Sequence, residues 1–196
     1  MVCATAALAA EPAPPAPESP AFAAIRSGNT KALASLLDTN PRATLAARGA
    51  SGSSLLHLAA ALNNAEAAQL LVSRGAGVDL RSDNGSTPLH WAANCNAVAV
   101  IAVLIENGAD VNAKSSRGYT PLHWAALGNA SDAASFLLAK DANPFVRNDS
   151  GQTPLDSAKE KRAAAVVKVL SAPPPREQPK SVAGANTSEK DRKSVV

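Results

Sequence analysis

The chain has 196 residues, enough for one ordinary domain with extensions at its ends. Apolar residues make up 46% but aromatics only 3%, so the core needs small side chains at close helix contacts or a stack of thin layers. A net charge of 19 − 16 = +3 is too small to argue for nucleic acid or a membrane surface. Two cysteines cannot build a disulfide framework, no Cys/His cluster has zinc spacing, and no apolar run approaches the roughly 18 residues of a membrane span.

Residues 1–10 read MVCATAALAA, and Ala7-Leu8-Ala9 before AEPAP resembles the small-residue end of a secretory signal. The basic start and the full apolar segment are missing. Two readings stand: a truncated signal peptide, which implies a secreted or periplasmic protein, or a disordered Ala-rich terminus, which implies a cytoplasmic one. Residues 11–18, EPAPPAPE, are Pro-rich without apolar periodicity and complete an extended leader over 1–18.

From residue 19 a period governs the chain. SLLHLAA (54–60), TPLHWAA (87–93), TPLHWAA (120–126) and TPLDSAK (153–159) start 33 residues apart, and SPAFAA (19–24) precedes the first by 35, so one loop holds two extra residues. Gly52, Gly85, Gly118 and Gly151 keep the period, as do Asn63, Asn96 and Asn129. The chain is a tandem array of five copies, at about 19–48, 49–81, 82–114, 115–147 and 148–170.

Each copy predicts a helix, a tight turn, a second helix and a long protruding loop. Thr87 is placed to N-cap a first helix, with Pro88 at its first position, where a missing N–H costs nothing; Thr120 and Pro121 repeat the pattern. Leu89, Ala92 and Ala93 fall on one face of that helix, which ends near Cys95, and Asn96 suits a left-handed turn. A second helix follows from about Val98 to Glu106, with Ile101, Leu104 and Ile105 at core spacing, and Gly108 stops it. One such hairpin cannot cover its own apolar face, so the copies must stack and the ends need polar caps. The charged run DSAKEKRA (156–163) reads as the closing cap, and 171–196 as a disordered polar tail of charge 5 − 3 = +2.

These features resemble the ankyrin-repeat family: the TPLHWAA blocks, the glycine two residues before each Thr, NGADVNAKSSRG at 107–118 and the 33-residue period. The resemblance implies an all-α ankyrin-repeat solenoid of five stacked repeats. It further implies a concave groove, lined by first helices and loop tips, that binds other proteins. Asp141 stands where Gly75 and Gly108 predict glycine, and Leu55 where Pro88 and Pro121 predict proline, so loop geometry there is open.

The three histidines, His57, His90 and His123, occupy one column. Stacked helices lie roughly 8–10 Å apart, whereas zinc at about 2.0–2.1 Å from each nitrogen needs its ligands within about 4 Å of one another. The column therefore reads as a layer-to-layer fastener, each ring bonding the neighbouring Thr or the backbone, and no cofactor or metal is expected. Trp91 and Trp124, where Leu58 stands in an earlier copy, read as core filling; a ligand-binding aromatic pair is the alternative. Cys95 reads as an inert small residue.

Scaffold columns are fixed by packing, so a partner should meet the columns that vary between copies. These are Arg81, Asp83, Asn84 and Ser86 in one loop, Lys114, Ser116, Arg117 and Tyr119 in the next, and Arg147, Asp149, Ser150 and Gln152 in the third. At the ends of first helices they are Asn94, Cys95 and Leu127. Tyr119, with Arg117 beside it, is the leading hot-spot candidate. The array, at 14 − 11 = +3, is read as having no basic stripe, which argues against nucleic acid. The expected protein is a monomeric, non-enzymatic scaffold for an unidentified protein partner, without membrane insertion. Two alternatives remain: a tether whose C-terminal tail is the recognition element, and a metal or thiol enzyme using the His or Cys positions.

Overall fold

The structure, a computed structural model, describes residues 19–171; the leader assigned to 1–18, with its signal-peptide reading, and the tail from 172 onward lie outside the described residues. The described residues form helices alone. First helices are α1 (Pro20–Arg26), α4 (Leu55–Ala61), α6 (Pro88–Asn94), α8 (Pro121–Leu127) and α10 (Pro154–Glu160). Their second helices are α2 (Thr30–Thr39), α5 (Ala65–Ser73), α7 (Val98–Glu106), α9 (Ser131–Ala139) and α11 (Ala164–Ser171). Five helix–turn–helix layers result, and α11 keeps Ser171 in the array rather than in the tail.

One element is not foreshadowed by the repeat pattern. The connection after α2 folds into α3 (Pro41–Ala46), followed by a 3-10 turn at Ala50–Gly52. Its cause is local: Asn40 Oδ1 accepts from the Ala43 N–H at 3.3 Å, and Pro41 sits at the first helical position. Averaging over copies hides this, since the other Asn-Pro step, Asn143-Pro144, makes only a turn, with Asn143 Oδ1 accepting from the Phe145 N–H at 2.9 Å.

Burial follows the small-residue stacking. Leu56, Leu89 and Leu122 on first helices and Leu71, Leu104 and Leu137 on second helices are buried, with the alanine pairs 59–60, 92–93 and 125–126 fully enclosed between them. Central first helices contact one another more extensively than second helices do. The turns obey the backbone rules. Asn63, Asn96 and Asn129 take φ of 51°, 54° and 51°, and Asp141 adopts the same left-handed form at 64°, so the missing glycine leaves the loop path intact. Leu55 opens α4 without proline.

Candidate protein-binding face

The loops between layers carry the candidate site. Each closes on itself through one backbone bond: Ser82 N–H to Ser86 O at 3.0 Å, Ser115 N–H to Tyr119 O at 2.9 Å and Asn148 N–H to Gln152 O at 3.0 Å. Each tip also bonds the tip before it. Asp83 N–H donates to Ser51 O at 2.9 Å, Ser116 N–H to Asn84 O at 3.0 Å, and Asp149 N–H to Arg117 O at 3.1 Å. Gly85 is required twice over in this ladder. Its φ is +72°, and a Cβ there would stand 2.7 Å from the Ser116 nitrogen, inside the contact that joins the tips.

The histidine column lies directly beneath. The Thr87 backbone N–H can only donate, so His90 Nδ1, 3.1 Å away, accepts; the ring proton is on Nε2 and is donated to Tyr119 O at 2.9 Å. His57 and His123 do the same, joining Ser54 to Ser86 O and Thr120 to Gln152 O, with Nε2–O distances of 3.0 Å in both cases. Each imidazole thus links a helix start to the closing residue of the next tip. Thr87 and Thr120 cap through the ring as well as the backbone, their hydroxyls 2.9 Å from Nδ1. Burial lowers all three histidine pKa values, that of His90 to about 4. The rings are neutral and spent on structure, and among the described residues no group of three or more His, Cys, Asp or Glu is placed to hold a metal ion.

This combination of layered helix pairs, bonded tips and a histidine fastener has a family attached to it. Residues 21–115 match the model described as ankyrin repeats (3 copies), and residues 104–158 the model described as ankyrin repeats (many copies). The chain belongs to the ankyrin-repeat family. Ankyrin repeats are generally protein–protein interaction modules, and proteins built from them are typically non-catalytic. No curated protein matches the chain. No helix among the described residues is long and apolar enough to cross a membrane.

On this ankyrin array the variable residues divide into two groups. Arg81, Asp83, Lys114, Ser116, Arg117, Arg147, Asp149 and Ser150 are exposed along the tips, and Asn94, Cys95 and Leu127 are half-buried at the first-helix ends. Ser86 is a correction: it is fully buried, its hydroxyl 2.7 Å from Ser82 Oγ and accepting the Trp91 indole N–H at 2.9 Å, so it faces no partner. Asn84 is exposed but its Oδ1 is turned inward, accepting from the Ser86 N–H at 3.0 Å and from Ser82 Oγ at 2.8 Å. Gln152 is half-buried and donates to Glu160 Oε2 at 2.6 Å. Tyr119 is half-buried too, its ring edge-on to His123 at 5.5 Å, so it is a packing residue as well as a surface one. Trp91 and Trp124 are half-buried against the core, each edge-on to a histidine ring.

Sequence reasoning missed one alignment. Arg48, Arg81, Lys114 and Arg147 share a single column, all exposed, so the array does carry a basic row along its tips. The 33-residue period was the signal that could have found it, had charges been aligned as the apolar positions were.

Proposed function

We propose that the protein is a non-enzymatic scaffold that captures a protein partner on its bonded tips and the adjoining first-helix ends. The observation that supports this reading is the tip-to-tip backbone ladder from Ser51 to Asp149. Because the ladder and the histidines fix the loops before a partner arrives, little ordering cost is left to binding. Some projecting columns repeat, such as Arg81 with Arg147 and Asp83 with Asp149, while others change from copy to copy, as at Asn84, Arg117 and Ser150, and these carry the specificity. The chain works as a monomer of five repeats over about 19–170, without cofactor, nucleic acid or membrane insertion.

The test is co-precipitation with the full chain, read by mass spectrometry. Arg117→Ala with Ser150→Ala removes two exposed side chains that make no side-chain hydrogen bond among the described residues. The pair should release the captured protein while Lys31→Ala with Gln69→Ala, on the second-helix side, should retain it. Retention by the tip variant and release by the second-helix variant would place the partner on the opposite face.

A further inference from the structure

The basic row on the tips has an arrangement that selects among partners. Arg48, Arg81, Lys114 and Arg147 recur 33 residues apart and are exposed, and none pairs with a carboxylate among the described residues. Arg81 donates from one Nη to Gly85 O at 2.9 Å and to Lys114 O at 2.6 Å, and Arg147 repeats the first bond to Gly151 O at 2.5 Å. Arg48 instead reaches the Leu45, Ala46 and Ala47 carbonyls. Neutral carbonyls hold the three arginines, the Lys114 side chain makes no hydrogen bond among the described residues, and of the row only Arg147 lies near enough to a carboxylate, that of Asp156, to lower its pKa. Segments 48–53, 81–86, 114–119 and 147–152 contain five basic and two acidic residues, net +3, equal to the net charge of the whole chain. The positive excess is therefore concentrated on the proposed partner face.

Spacing then narrows the ligand. Successive layers put the backbone positions that carry the cations about 8–10 Å apart. A β-strand cannot match them from one side, because every third residue of a strand alternates between its faces. A polyproline II segment can: with three residues per turn and about 3.1 Å rise, every third side chain falls on one edge at about 9 Å. Nucleic acid fits less well, since Asp83 and Asp149 stand exposed on the same tips and would repel phosphates.

We infer that the row Arg48, Arg81, Lys114, Arg147 docks an acidic polyproline II segment of a partner protein, with a carboxylate at every third position. This rests on the reading of the tips as the partner face, and it names the chemistry of what binds there. Pre-set polyproline II geometry lowers the ordering cost on the ligand side as the ladder does on the protein side.

The test uses the full chain and labelled peptides in fluorescence anisotropy, at low and at near-physiological salt. One peptide repeats Glu-Pro-Ala four times; a second has the same composition with its glutamates contiguous; a third repeats Lys-Pro-Ala; a single-stranded oligonucleotide is the last probe. The Glu-Pro-Ala repeat should bind about tenfold tighter than the contiguous peptide. Lys114→Glu, at a position whose side chain makes no hydrogen bond among the described residues, should weaken it by about tenfold, as one exposed pair is replaced by a like-charge contact. Equal binding of both acidic peptides, no binding of either, tighter binding of the oligonucleotide, or indifference to Lys114→Glu each overturns the inference. If the peptides fail while Arg117→Ala with Ser150→Ala still releases the cellular partner, the tip reading stands and only the acidic segment falls; if that variant releases nothing, the tip reading falls first.

Discussion

The Trp91 indole stands edge-on to the His57 imidazole of the preceding repeat, centroids 5.4 Å apart and planes at 80°. Trp124 repeats this against His90 at 5.6 Å and 76°. The next residue in the tryptophan column is Ser157, which cannot reach, and the place against His123 is taken instead by Tyr119 of the same repeat, at 5.5 Å and 70°. Ser157 lies buried below with a hydroxyl that finds no hydrogen-bond partner.

Two substitutions separate these roles. Tyr119→Ala should lower stability by about 1–3 kcal/mol through lost area and edge contact, so it is not a clean probe of binding. Ser157→Ala should raise stability by about 1 kcal/mol, because it removes a buried hydroxyl that has given up water and gained nothing. Urea unfolding midpoints at constant slope check both; a destabilised Ser157→Ala would mean the hydroxyl is in fact bonded.

Acid should loosen the array in a defined window. The folded-state pKa of His90 lies below its ordinary 6.5, at about 4, first because burial disfavours its charged form and then because Arg81 is near. Unfolded chains therefore bind more protons than folded ones in that interval, so the stabilisation is complete above 6.5 and is lost as pH falls toward 4. For His90 alone the loss is on the order of 3 kcal/mol, and His57 and His123 add to it in the same direction. Asp156 is lowered from 3.8, mainly by the Thr153 N–H, and titrates below this window. Urea midpoints followed from pH 7 to pH 4 should fall steadily in wild type and less steeply in His90→Gln.

Asn96 does more than turn the chain. Its Oδ1 accepts from the Ala133 N–H at 2.8 Å and its Nδ2 donates to Asp132 at 3.1 Å, so it caps α9 of the following repeat, whose own cap position is Ala130. Asn129 has the same left-handed backbone but no side-chain bond among the described residues. Glycine at either site keeps the turn. Asn96→Gly should cost about 1 kcal/mol relative to Asn129→Gly, measured by thermal melting of the two variants side by side.

Asp141 carries a left-handed φ of 64° where two other copies use glycine. An L-residue there costs about 1–2 kcal/mol, so Asp141→Gly should stabilise the array by roughly 1 kcal/mol after the larger entropy of the unfolded glycine is deducted. The Asn112 amide donates to the Asp141 carbonyl, which the substitution leaves in place. A lowered melting temperature would show that the side chain contributes something the backbone geometry does not.

By itself the sequence determined everything that depends on neighbours a few residues apart. The helix starts at Thr87 and Thr120, the left-handed asparagines, the stop at Gly108 and the apolar faces of α6 and α7 follow from local sterics, and a 33-residue recurrence of them admits only a stack. Even α3 was locally encoded, by Asn40 and Pro41, though averaging over copies concealed it. What only the tertiary structure decided are the contacts between residues some 29–37 apart: His90 with Tyr119 O, Asn96 with Ala133, Arg81 with Lys114 O. These depend on how far one layer slides over the next, a rigid-body offset that alanine packing sets and no single residue spells out. That offset set each imidazole under the carbonyl of the next tip and joined the tips into one bonded ladder.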